Sequence, residues 1–179
     1  SMMQKTVVLV KPDGLQRGLI GQIISRFERK GLKLIGLKMT VLTDEVLDHW
    51  YEHHKGKPFF GNLKDFMKSY PIVAMLWEGL DAVEAVRLMC GVTRGSQAEP
   101  GSIRGDFGLS QQYNLIHASD SKIAAEKEQH LIFAKDEIFE YDKGDYHYLY
   151  SEEERGWIKN LKLYNLQFLN ISRSFSIGN

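Results

Sequence analysis

Apolar positions change their period several times along the chain, and each change marks an element. Thr6-Val7-Val8-Leu9-Val10 is a β-branched apolar run of the kind found in a central strand, and Lys11-Pro12-Asp13-Gly14 reads as the turn that ends it. Leu19, Ile20, Ile23, Ile24 and Phe27 recur at helical spacing as far as Gly31, a helix-ending glycine, and residues 32 to 41 read as a second strand. A helix is expected over Asp44 to His54 with Thr43 as its N-cap, then a break at Gly56-Lys57-Pro58 and a short helix carrying Leu63, Phe66 and Met67. Ile72 to Trp77, introduced by Pro71, is a third strand. Ala82, Val83, Val86 and Met89 mark the helix after it, which Gly91 ends.

From Gly91 to Tyr113 the chain carries five glycines and one proline with no periodicity, so a long loop is expected there, of the sort that is usually functional or disordered. The short apolar run before His117 is the fourth strand, and a helix follows it with Ser119 or Asp120 as its cap, which places His117 between strand and helix. On that helix Ala124, Ala125, Leu131 and Ile132 share one face, and Glu128 falls in the middle of it. A buried carboxylate needs a specific partner; His117 just upstream is one candidate and an arginine is another, and a helix rotated enough to wet Glu128 is the third reading. The element order suits a small α/β sandwich of the split βαβ type with antiparallel pairs.

After Tyr150 the pattern restarts. Ser151-Glu152-Glu153-Glu154 is a capping box, and Trp157, Leu161, Tyr164 and Phe168 repeat at helical spacing. The expectation is one domain over residues 4–150 and a C-terminal extension over 151–179, with a helix over about 152–170 and a loose tail from Ser172. The apolar face of that helix needs a cover, either its own domain or a neighbouring subunit.

Composition narrows the function classes. Twenty-three basic and 23 acidic residues leave no formal net charge, which argues against a nucleic-acid binder. No apolar run approaches the roughly 20 residues of a membrane helix. The single cysteine, Cys90, cannot pair within the chain and no signal sequence is visible, so a cytoplasmic location is expected.

Neither G-x-x-x-x-G-K-[ST] nor G-x-G-x-x-G occurs, so a phosphate site must be assembled from side chains. Lys11 at a strand end, Arg87 on a helix, and Thr93, Arg94 and Arg104 in the glycine-rich loop are the material for one near His117, because guanidiniums grip phosphate oxygens in pairs. His49-Trp50-Tyr51-Glu52-His53 spells H-x-x-E-H, an inverted zinc-peptidase motif. Three fixed letters recur by chance and nothing nominates a third ligand, so zinc hydrolysis is not the expectation.

Lys11-Pro12-Asp13-Gly14, Lys57-Pro58-Phe59-Phe60, Ile103-Arg104-Gly105-Asp106-Phe107 and Asn114-Leu115-Ile116-His117-Ala118-Ser119-Asp120, in this order over roughly residues 4 to 150, together resemble nucleoside diphosphate kinases. The resemblance implies a ferredoxin-like sandwich, class α/β (α+β), with a four-stranded antiparallel sheet and here a C-terminal helical extension. It implies transfer of the γ-phosphate of a nucleoside triphosphate to a nucleoside diphosphate, by a ping-pong mechanism through phosphorylated His117. Lys11 would contact ribose and phosphates, Asn114 the ribose, and Arg87, Thr93 and Arg104 the phosphates. Phe59 would stack on the base and Tyr51 would lie close to the histidine, with Ser119 and Glu128 supporting the site. Mg²⁺ would be the cofactor, held mainly by the nucleotide phosphates, and the partners would be nucleoside di- and triphosphates and further copies of the chain, a hexamer or a tetramer.

The chemistry agrees with this, since a neutral imidazole is an available nucleophile at pH 7 and the N–P bond breaks readily in the second half-reaction. The chain departs from the family pattern at Ala118, at Thr93-Arg94-Gly95-Ser96, at Gln111 and in its extension. The reading of a different class is a catalytically silent ferredoxin-like nucleotide-binding or scaffold protein.

Overall fold

A computed structural model describes residues 3–156. Four strands, β1 (Met3–Val10), β2 (Lys33–Thr40), β3 (Ile72–Leu80) and β4 (Ile116–Ala118), form one sheet in the order β2-β3-β1-β4. Every neighbouring pair is antiparallel. The expected ferredoxin-like α/β sandwich with a four-stranded antiparallel sheet is therefore the fold.

The central strand β1 is buried from Thr6 to Val10 because both faces of the sheet are covered. On one face Val8 and Val10 pack with Ile23 and Phe27 of α2 (Ile20–Lys30) and with Ala82, Val86 and Cys90 of α5 (Ala82–Cys90). On the other face Val7 and Leu9 pack with Leu47 and Trp50 of α3 (Asp44–Trp50), Met67 of α4 (Phe60–Lys68) and Ile132 of α7 (Lys122–Ile132). The strand's two alternating sets of side chains thus serve two cores.

Local chemistry fixes most boundaries. Thr43 caps α3 by accepting from the Val46 N–H, and Gly31 ends α2 in the left-handed conformation at φ 102°. Four expectations change. Lys11-Pro12-Asp13-Gly14 is no simple turn but opens a short helix, α1 (Pro12–Gln16), with proline at its first position, where its missing N–H costs nothing. The helix expected to reach His54 stops at Trp50 and continues as a 3₁₀ turn over Glu52–His54. The stretch from Gly91 to Tyr113 holds a 3₁₀ turn at Gly95–Gln97 and α6 (Ile103–Phe107), capped by the Ser102 hydroxyl. α7 is capped by Ser121, not by Ser119 or Asp120.

Contacts divide the chain after Phe139. The part beginning at Glu140 contains α8 (Tyr146–Leu149) and α9 (Glu152–Arg155), and the expected capping box is present, Ser151 bonding the Glu154 N–H and Glu154 the Ser151 N–H. The remainder of the helix expected to about residue 170, with Trp157, Leu161, Tyr164 and Phe168, and the tail from Ser172 lie outside the described residues. No helix among the described residues is long and apolar enough to cross a membrane.

Candidate active site

Among the described residues seven polar or charged residues are buried, and Lys11, Asn114, Ser119 and Glu128 are four of them. Burial of such groups is costly without partners, so their hydrogen bonds locate the site. His117 stands in the middle of β4 opposite Leu9, inside the strand and not beyond its end as the sequence suggested. Ile116 and Ala118 on either side belong to the core shared with α2 and α5, so the alternation of the strand turns the imidazole to the opposite face.

There His117 Nε2 is hydrogen-bonded to Oε1 of Glu128, which α7 presents from its buried face. The open choice of partner for the buried carboxylate is settled in favour of the histidine. An ionised carboxylate only accepts, so Nε2 carries the hydrogen and Nδ1 keeps an in-plane lone pair. Ser119 continues the β1–β4 pairing with its side chain: its Oγ accepts from the Val7 N–H at 3.1 Å and lies 3.4 Å from the same Glu128 oxygen. Its hydroxyl is thus committed to the site, which is why it caps no helix.

Trp50 meets the imidazole edge to face, with ring centroids 5.2 Å apart. Tyr51 follows it into the core, and burial, then the Glu128 charge, pushes its phenol well above the ordinary tyrosine range, so its hydroxyl stays protonated. The Tyr51 ring stacks on His54 at 5.9 Å, and His54 in turn packs edge to face on half-exposed Phe59 at 5.1 Å. Tyr51 and Phe59 are joined through an aromatic row.

A second group of donors sits where β1 gives way to α1. Lys11 Nζ donates to Asn114 Oδ1 at 2.8 Å, and Asn114 Nδ2 donates to the carbonyls of Thr93 and Gln111 at 3.0 and 2.9 Å. Arg104 spreads its fork over three carbonyls, those of Asn114, Gly91 and Ile116, at 3.2, 2.9 and 2.6 Å. Lys11, Asn114, Thr93 and Arg104 are therefore one bonded cluster. Burial, then the Arg104 charge, lowers the Lys11 ammonium to about 8, with Asp13 opposing. Arg104 is likewise lowered, first by burial. Arg87 also reaches the imidazole's strand, bonded to Asp120 at 2.6 Å and to the Ala118 carbonyl at 3.5 Å.

Glycines make the loop around this cluster possible by close approach. A Cβ on Gly105 would lie 1.9 Å from the Glu99 carbonyl oxygen, and one on Gly95 would lie 2.4 Å from the Gly108 carbonyl carbon. Two departures from the family pattern meet here, as Arg94 Nε donates to Gln111 Oε1 at 3.0 Å. Sequence reasoning missed Trp50, Asp13 and Asp120. Trp50 lies three residues after Leu47 and both are buried on α3, but no local signal names its partner across the core. Asp13, whose Oδ2 accepts from the Leu115 N–H at 3.0 Å, was hidden by the turn reading.

The sequence model of the family described as "Nucleoside diphosphate kinase" matches residues 4–138. The nucleoside diphosphate kinase of Parabacteroides distasonis is 50% identical over 152 residues, 85% of this chain and 99% of its own length. That of Archaeoglobus fulgidus is 48% identical over 150 residues, 84% of this chain and 99% of the relative. Among solved structures, a halophilic nucleoside diphosphate kinase from Halobacterium salinarum in complex with CDP superposes with a TM-score of 0.81 at 45% identity, covering 83% of this chain and 99% of that one. A Babesia bovis family protein gives 0.80 at 41% identity over 82% and 99%. With the sheet order, the buried donors and these relatives in agreement, the chain belongs to the nucleoside diphosphate kinase family, phosphotransferases that use a divalent cation to move the γ-phosphate of a nucleoside triphosphate onto a nucleoside diphosphate.

Proposed function

We propose that His117 is the nucleophile and that transfer runs by a ping-pong cycle through its Nδ1. The observation that carries this is the Nε2–Glu128 hydrogen bond, which leaves Nδ1 unprotonated. In the first half-reaction the Nδ1 lone pair attacks the γ-phosphorus, the bond from that phosphorus to the β–γ bridging oxygen breaks, and the nucleoside diphosphate leaves with the electron pair. The second half-reaction reverses these steps on an acceptor diphosphate. Glu128 balances the positive charge that develops on the ring, and Ser119 holds Glu128.

Lys11 and Asn114 take the ribose, with Lys11 also reaching the phosphates, and Arg87, Thr93 and Arg104 take the phosphate oxygens. Tyr51 supports the histidine from the core side. Phe59, half-exposed at the end of the aromatic row, stacks on the base; stacking alone tolerates every base. Mg²⁺ is the divalent cation, held mainly by the nucleotide phosphates. The donors of the site fit that arrangement, because Lys11, Arg87 and Arg104 are cations suited to a polyanion and not to a bare metal ion. When bound, the cation shares the neutralisation of the phosphate charge.

We assign the kinase domain to residues 4–150 and an extension to 151–179, supported by relatives of about this length that match from end to end. The active form is a homo-oligomer, a hexamer in preference to a tetramer, in the cytoplasm. The experiment is direct: γ-labelled ATP with Mg²⁺ should leave an acid-labile, alkali-stable label on the protein, and the label should chase onto any added nucleoside diphosphate. Wild-type protein that takes no more label than His117→Ala would leave the silent scaffold reading in its place.

A further inference from the structure

Trp50 closes α3, and only 7% of it is exposed. Its indole stands edge to face with the His117 imidazole, centroids 5.2 Å apart and planes 71° apart, and its Nε1 is buried without a hydrogen-bond partner. A dry, unpaired indole N–H lowers stability relative to an all-carbon ring in the same place. The residue nevertheless supplies the large flat surface that meets the reacting side chain.

Among the described residues, His117 has one hydrogen bond to hold its ring, the one from Nε2 to Glu128. That bond fixes the tautomer but does not by itself fix the plane, since the ring can tilt while keeping Nε2 near the carboxylate. The Nδ1 lone pair lies in the ring plane, so a tilt swings it away from the line of the breaking P–O bond. Transfer depends on that alignment. An edge-to-face neighbour gives the plane a preferred angle that a shapeless apolar side chain does not.

We infer that Trp50 is a positioning residue for phosphoryl transfer, its edge-to-face contact setting the plane of the His117 imidazole while Glu128 sets its tautomer. This rests on His117 being the nucleophile. Both half-reactions use the same ring, so both depend on Trp50, whereas nucleotide binding, which Lys11, Arg87, Arg104, Asn114 and Phe59 carry, does not.

The test compares wild type, Trp50→Phe and Trp50→Leu in single-turnover labelling from γ-labelled ATP over a range of nucleotide concentrations. Trp50→Leu should lower the maximal labelling rate about tenfold with half-saturation unchanged within about twofold, and Trp50→Phe should restore most of the rate. A Leu variant as fast as wild type overturns the inference. So do equal losses in Leu and Phe, or a half-saturation that moves in step with the rate. Wild type that takes no label removes the nucleophile reading itself, and the inference with it. Should the Leu variant fail to fold, the wild-type protein decides: the Trp50 indole N–H resonance, assigned by its absence in Trp50→Phe, should shift when the protein is phosphorylated. A resonance that stays in place overturns the inference.

Discussion

Replacing Glu128 by glutamine keeps the size of the side chain and removes its charge. In the structure its Oε1 accepts from His117 Nε2 and lies 3.4 Å from Ser119 Oγ, so the amide oxygen can occupy the same position. What is lost is the difference between a charge-assisted and a neutral hydrogen bond, about 1–1.5 kcal/mol, and it is lost where the ring becomes positive. At about 1.4 kcal/mol per factor of ten, phosphoryl transfer should slow by about tenfold. A larger loss follows if the amide turns its NH₂ towards the ring, because Nε2 would then have to accept and the proton would move to Nδ1.

The assay is single-turnover labelling with γ-labelled ATP, alongside nucleotide binding followed by equilibrium titration. Binding should be unchanged, since Glu128 bonds His117 and Ser119 and none of the residues proposed to hold the nucleotide. Stability should not fall either: Glu128 is 7% exposed, and an uncharged side chain is easier to bury than a carboxylate. Labelling at the wild-type rate would refute the reasoning, and so would a loss confined to nucleotide affinity.

Three further perturbations probe other parts of the site. Lys11, lowered to about 8 from 10.5, is disfavoured as a charge in the fold, so its cost to stability is fully present below pH 8 and is relieved as pH rises towards 10.5. Lys11→Met should therefore raise thermal stability at pH 7, by about 1–3 kcal/mol, while nucleotide binding collapses; equal melting temperatures would contradict this. In wild type the same value predicts that KM for nucleotide rises as pH passes 8. Gly105→Ala places a Cβ 1.9 Å from the Glu99 carbonyl oxygen, a backbone atom that cannot swing aside, and should cost about 2 kcal/mol or more and displace Arg104; chemical denaturation and KM report both. Phe59→Ala removes the proposed stacking surface and should raise KM by about 5- to 150-fold for purine and pyrimidine nucleotides alike, from about 1–3 kcal/mol of stacking; an effect on one base alone would point to edge recognition.

The sheet was legible because strands and helices carry different periods, and β1 was read as central from its unbroken apolar run. Glu128 was legible for a related reason: a carboxylate amid Ala125 and Ile132 on one helical face stands out against the pattern. The short pieces were not. α1 has five residues and no period to read, α6 also has five, and their starts depend on a proline position and a serine cap inside a glycine-rich run. The position of His117 was off by an element boundary because β4 has three residues, and its pairing with β1 is a long-range fact that no local window holds. Ser119 looked like a cap because serine before a helix usually is one, yet the Val7 N–H, 112 positions away in sequence, has the stronger claim on it.

The cationic donors proposed for the nucleotide all have protein partners. Arg104 bonds three carbonyls, Lys11 bonds Asn114, and Arg87 bonds Asp120. Binding a polyphosphate is then an exchange of partners, and its strength turns on how weakly the present ones hold. The two arginines differ in this respect. The Arg87–Asp120 pair is largely exposed, at 49% and 76% of the side chains, so little is lost when phosphate displaces the carboxylate. Arg104 is part-buried, and removing its carbonyls would strand part-buried acceptors, so it should keep them and offer its remaining N–H groups. The proposed phosphate roles therefore divide: Arg87 should give up its carboxylate for phosphate, and Arg104 should keep its carbonyls.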